Sequence, residues 1–147
     1  MLGKHFLLCA LFFIANPQVV AKEAKTNPAI EFMQTANYQL LICGIKAKTA
    51  FLEVELGKET SSHSIIGACQ KEGRSEVKNL YPKANAQFAK KPAASKALKD
   101  FYVAWLAALD GISPSISERK IDYERRQGDA SRKADEAWSR FEIEAEF

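Results

Sequence analysis

Two cysteines that could pair, one histidine set among serines and several close-set carboxylates are the side chains of this 147-residue chain with chemical potential. Cys43 and Cys69 come first, because a disulfide needs only two thiols at the right distance in an oxidising compartment. The pair is not a redox motif of the Cys-x-x-Cys kind. A hairpin turning near residues 56 and 57 would set both cysteines about thirteen residues from the turn, on equal arms and therefore level with each other.

His63 stands among Ser61, Ser62 and Ser64. A Ser–His nucleophile needs a base held by a third group beside an oxyanion hole. A run of adjacent residues without a Gly-x-Ser-x-Gly elbow supplies neither, and the expected reading of His63 is an exposed turn residue. Glu53 and Glu55, two apart on a helix, point to different sides and make no acid–base pair, and Glu142, Glu144 and Glu146 fail for the same reason. The sequence contains no Glu-x-x-His pair for a di-iron bundle, no Cys-x-x-Cys-His for haem, no phosphate loop and no dinucleotide fingerprint. No metal, no cofactor and no enzymatic activity are expected.

The N-terminus bears on the compartment. Met1-Leu2-Gly3-Lys4-His5 is followed by an apolar run from Phe6 to Ala15, the layout of a secretory signal. Ten apolar residues are too few to span a bilayer, which takes about 20. Asn16-Pro17 ends the run, and Val19-Val20-Ala21 suits a signal peptidase, so cleavage is expected after Ala21, with Ala24 as the alternative. Cys9 lies inside the apolar run with no small residue directly before it, which argues against lipidation. Cys43 and Cys69 are then the only thiols of the processed chain. That chain, residues 22–147, is long enough for one domain with its own core. It is expected to be periplasmic or secreted, and its slight excess of basic residues gives no case for nucleic acid.

Four helical patterns position these residues. Asn27-Pro28 reads as an N-cap followed by proline at the first helical position. From there Met33, Ala36, Leu40, Cys43, Ala47, Ala50 and Val54 form a seam that stops at Gly57. A second helix is expected over 64–90, through Ile66, Cys69, Gly73, Val77, Leu80, Ala84 and Phe88, with a kink or break near Leu80-Tyr81 caused by Pro82. The third, 93–111, has the strongest apolar face, with Leu98, Phe101, Trp105, Ala108 and Leu109, and Gly111 as its cap. The fourth, 114–145, carries Ile116, Tyr123, Ala130, Ala134, Ala137 and Phe141, with Lys120 and Gln127 as polar residues on the seam. The expected fold class is all-α, an antiparallel four-helix bundle-like domain with one disulfide after a cleaved signal peptide.

Charge and aromatic residues nominate two partner surfaces. Ala68 to Lys99 holds eight basic residues, among them Lys71, Arg74 and Lys78, against two acidic ones. Tyr123 to Lys133 combines Tyr123, Arg125, Arg126 and Arg132 on the weakest seam, and Tyr and Arg are the residues that most often anchor interfaces. A purely partner-facing Arg126 implies that Arg126→Glu weakens binding without lowering thermal stability.

In length, export signal and helical class the chain resembles small disulfide-bearing periplasmic immunity and inhibitor proteins, without a diagnostic motif. The resemblance implies a binding module whose partner is another envelope or secreted protein. The alternative from the basic run is an accessory or scaffold protein on anionic lipid or polymer. A membrane-spanning role is not expected, and a homodimer is open.

Overall fold

The computed structural model describes residues 27–57, 62–115 and 118–147, the side chains of Glu55, Ser62 and His63 excepted. The expected signal segment and its cleavage sites after Ala21 or Ala24 lie outside the described residues, as does Ile116. Four α-helices follow in order: α1 (Pro28–Glu55), α2 (Ser62–Ala86), α3 (Pro92–Asp110) and α4 (Lys120–Ala145). They make an all-α four-helix bundle with one disulfide.

α1 starts as its sequence dictates. The Asn27 side chain accepts a hydrogen bond from the Ala29 N–H at 2.9 Å, and Pro28 fills the first turn. The helix ends where Gly57 takes a left-handed φ of 69°, a conformation that costs glycine nothing. α1 and α2 then run antiparallel, and Cys43 bonds Cys69 across them with a Cα separation of 5.7 Å. Beside this staple the two backbones approach closely at Gly73, where a Cβ would stand 3.1 Å from the Gln39 side chain. Gln39 is buried there and donates to Glu76 at 2.5 Å, which satisfies a polar group that would otherwise be costly to cover.

α3 and α4 form the second hairpin, with Phe101 against Trp138 at 5.1 Å and Phe88, from the connection before α3, against Phe141 at 5.1 Å. The hairpins meet at Phe32 of α1, whose ring touches Tyr81, Phe101 and Tyr102, each 5.8 Å away between centroids. Trp105 seals the junction: fully buried on α3, it donates its indole N–H to the Ala36 carbonyl of α1 at 2.7 Å.

Several expectations shift in detail. The buried stripe of α1 runs through Ala29, Phe32, Ala36, Gln39, Cys43, Ala47 and Ala50, while Met33 and Leu40 flank it half-buried and Val54 is exposed on the last turn. α2 continues unbroken through Pro82, whose exposed side chain meets no packed neighbour, and gives way to turns at 87–90 instead of running on to residue 90. His63 lies in the first turn of α2 and not in a loop. α4 begins at Lys120, six residues later than expected, after Ser113, Ser115 and Glu118, which enter a clamp described below. Gly111 does follow α3, but with a right-handed φ of −72°, so it is not a left-handed cap.

The staple closes a loop of 26 residues and stabilises the fold by roughly 3.5 kcal/mol in the chain-entropy picture. Cys43→Ser should therefore lower the melting temperature by about 10–15 °C, read by circular dichroism with and without reductant. A variant that melts like the oxidised protein would remove the staple from the account.

Candidate protein-docking surface

The stretch from Tyr123 to Lys133 borders a seam between α1 and α4. Tyr123 is buried, its ring 4.8 Å from that of Phe51 on α1, and burial raises its phenol above the ordinary range. Arg126 lies over the same ring at 5.5 Å. Its guanidinium donates from Nε and Nη2 to the two Glu118 oxygens at 2.9 and 2.8 Å, from Nη1 to the Gly111 carbonyl, and from Nη2 to the Ser113 carbonyl at 3.3 Å. Glu118 also accepts from the Ser115 N–H at 2.9 Å.

One guanidinium thus gathers the end of α3, the connecting segment and the start of α4. Gln127, the polar residue on the expected seam, donates to the same Gly111 carbonyl. Gly111 is glycine for space: a Cβ there would come within 3.1 Å of Arg126 and 3.2 Å of Gln127. The Arg126 hydrogen bonds, with help from the Ser115 N–H, hold the Glu118 carboxyl down at about 2.

Arg125 and Arg132 face away from the core, exposed, and are answered by acids of their own helix. Arg125 lies 3.7 Å from Asp122, and Arg132 pairs with Asp129 at 3.1 Å and Glu136 at 2.9 Å. The structure therefore buries Tyr123, uses Arg126 in the clamp, sets Arg125 beside Arg126 on a depression bordered by Ala104 and Ala107 of α3, and leaves Arg132 exposed with the acids of its own helix. On α2, Lys71, Arg74 and Lys78 do come together on a shallow depression, where Arg74 pairs with Asp110 of α3.

Of the nominated residues of the stretch only Tyr123 faces α1, joined there by Glu124, Gln127, Gly128 and Ser131. With Leu40, Leu41, Gly44, Ile45 and Lys48 of α1 they line a groove of about 510 Å³. Gly44 and Gly128 leave it open, since a Cβ built on either would meet nothing within 4 Å. Its floor is the half-buried Leu40 and the buried Tyr123, and its α1 lip is Leu41 and Ile45, 60% and 50% exposed. The pattern that could have located it in the sequence is two glycines on helical segments that otherwise need none, Gly44 and Gly128. Among the described residues no group of three or more His, Cys, Asp or Glu is placed to hold a metal, and no helix is long and apolar enough to cross a membrane. No known protein family, curated protein or solved structure matches the chain.

The clamp changes what Arg126→Glu should do. Losing charge-assisted bonds worth about 1.5–3 kcal/mol, the variant should melt about 5–10 °C lower at neutral pH, in contrast with the expectation of unchanged stability. Because the Glu118 carboxyl is depressed in the folded state, its contribution is complete above the ordinary glutamate value of about 4.3 and is lost as pH falls toward 2. Between pH 4.5 and pH 2 the melting temperature of the unaltered protein should fall more steeply than that of Glu118→Gln. Parallel slopes would mean that the clamp carries no stability.

Proposed function

We propose that this is an exported helical binding protein of the immunity or inhibitor type, which seats a protruding segment of an envelope-acting toxin or hydrolase in the groove between α1 and α4. The reading takes the N-terminal segment as a signal removed after Ala21, and takes the protein to act by binding and not by catalysis. One observation carries it: the groove is preformed, apolar along its floor and lip, and kept open by glycine on both walls. A concave, largely apolar site with a few polar groups at its edge is the usual form of a seat for another molecule's side chains.

The polar groups at the edge suit that role. Lys48 on the α1 wall and Glu124 on the α4 wall are both exposed and enter no ion pair among the described residues, so each can meet an opposite charge on an incoming segment. The staple and the clamp lie on either side of the groove and hold its walls at a fixed spacing, which lowers the entropy lost on binding.

A second reading, an accessory protein on anionic lipid or polymer, draws on Lys71, Arg74 and Lys78 lining one depression on α2. The two readings part in one experiment. The protein, tagged at its C-terminus, is recovered from the envelope fraction of its host, and its N-terminus and retained proteins are read by mass spectrometry. An N-terminus at Lys22 and one stoichiometric exported protein that survives a salt wash are expected. Gly128→Phe fills the groove and should reduce that retention at least tenfold while leaving the melting temperature unchanged or slightly higher, since glycine is a poor helix former. Retention that survives Gly128→Phe, or is replaced by salt-sensitive retention on anionic vesicles lost in Lys71→Glu, would sink the groove reading.

A further inference from the structure

α1 is apolar on two opposite sides. Half a turn away from its buried stripe, Tyr38, Leu41, Ile45, Leu52 and Leu56 stand in a row, 58%, 60%, 50%, 49% and 72% exposed. Their separations of three, four, seven and four residues keep them on one side of the helix. A helix on the surface of a bundle needs one apolar stripe, and scattered exposed apolar residues need no explanation, but a contiguous row of large ones marks an interaction surface. The other three helices carry exposed large apolar residues sparsely: Ile65 on α2, Val103 on α3, Ile121 and Ile143 at the two ends of α4.

We infer that the outer face of α1 packs antiparallel against the same face of a second copy of this chain, about a two-fold axis passing by Ile45. A two-fold contact requires a face that complements itself when reversed. The centre of the row has this property, while Leu41 and Leu56 come level with Thr49 and Gln34 of the second copy. Tyr38 and Leu52 lie seven residues before and after Ile45, so each meets the other's counterpart across the axis while Ile45 meets itself. The repeat of seven is that of a coiled-coil seam.

Charge selects the antiparallel sense. The row itself is uncharged, and the nearest charge at its edge is Lys48. A parallel pair would set Lys48 beside its own copy. The antiparallel pair sets it beside Leu41 of the second copy, where its stem can lie on apolar surface with the ammonium in water, and it also opposes the two helix dipoles. Five side chains half to three-quarters exposed offer on the order of 500 Å² per copy, close to the lower limit for a specific interface, so the dimer is weak, of micromolar strength. An axis perpendicular to α1 sets both α1–α4 grooves on the same side of the pair, with Leu41 and Ile45 shared between each groove's lip and the dimer face. The inference does not rest on what those grooves hold.

The test is sedimentation velocity of the protein as recovered from its host, over roughly 1–200 µM, a span chosen to bracket micromolar association. The mass should rise toward twice that of one chain, and Ile45→Glu should remain single at every concentration with an unchanged circular dichroism spectrum. Tyr38→Lys and Leu52→Glu should each weaken association, and the two together in one chain should restore it, because antiparallel packing brings the new charges into opposite pairs. A protein that stays single throughout, an Ile45→Glu variant that associates normally, or a double variant without recovery overturns the proposal. A single-chain protein that still loses its envelope partner on Gly128→Phe would remove the dimer and leave the groove standing.

Discussion

Everything in this bundle depends on the junction where Trp105 donates to the Ala36 carbonyl and Phe32 inserts among Tyr81, Phe101 and Tyr102. Each hairpin is held internally, α1 with α2 by a covalent bond and α3 with α4 by edge-to-face aromatics and small residues. The junction fixes how they sit on each other. It lies toward the N-terminal part of α1, so α1 is gripped there and is less closely accompanied by α4 further along, where Phe51 reaches Tyr123. The groove is the space left between these two points of contact.

Two ties border that space. The Cys43–Cys69 bond holds α1 to α2, and the Arg126 clamp holds α4 to the end of α3. Small residues on both walls mean that closure would gain little contact. The open seam is then a consequence of where the large side chains were spent: Phe and Trp at the junction, Gly and Ser along the groove. The same economy accounts for α1, the most apolar helix of the four in its outward face, which has apolar surface to give both to the core and to whatever lies outside.

Much of the fold was legible in the sequence because it follows from short-range rules. The Asn27-Pro28 start and the Gly57 stop need no tertiary knowledge, and Cys43 does pair with Cys69, though on unequal arms, twelve residues before the end of α1 and seven after the start of α2. The register of α1 was less legible. A strict seven-residue pattern selects Met33 and Leu40, but the buried side is centred on Phe32 and Gln39, since a straight helix turns in 3.6 residues and since Gly73 opposite makes room for Gln39. The clamp was not legible at all: Arg126 takes partners from Gly111, Ser113 and Glu118, a segment without periodicity. Residue type pointed to the arginines between Tyr123 and Lys133, whereas the groove is faced by their neighbours Glu124, Gly128 and Ser131. The outer row of α1 was present in the spacing of Tyr38, Leu41, Ile45 and Leu52, hidden behind the stronger inner pattern of the same helix.

The central claim is that the apolar outer face of α1 is covered by protein when the molecule is at work. Hydroxyl-radical footprinting tests it most directly, comparing the protein inside its host cells with the purified protein diluted below micromolar concentration. Tyr38, Leu41, Ile45 and Leu52 should be protected several-fold in the cells and reactive when dilute, while Val103 and Ile143 react equally in both. A row that is as reactive in the cells as in dilute solution would contradict the account.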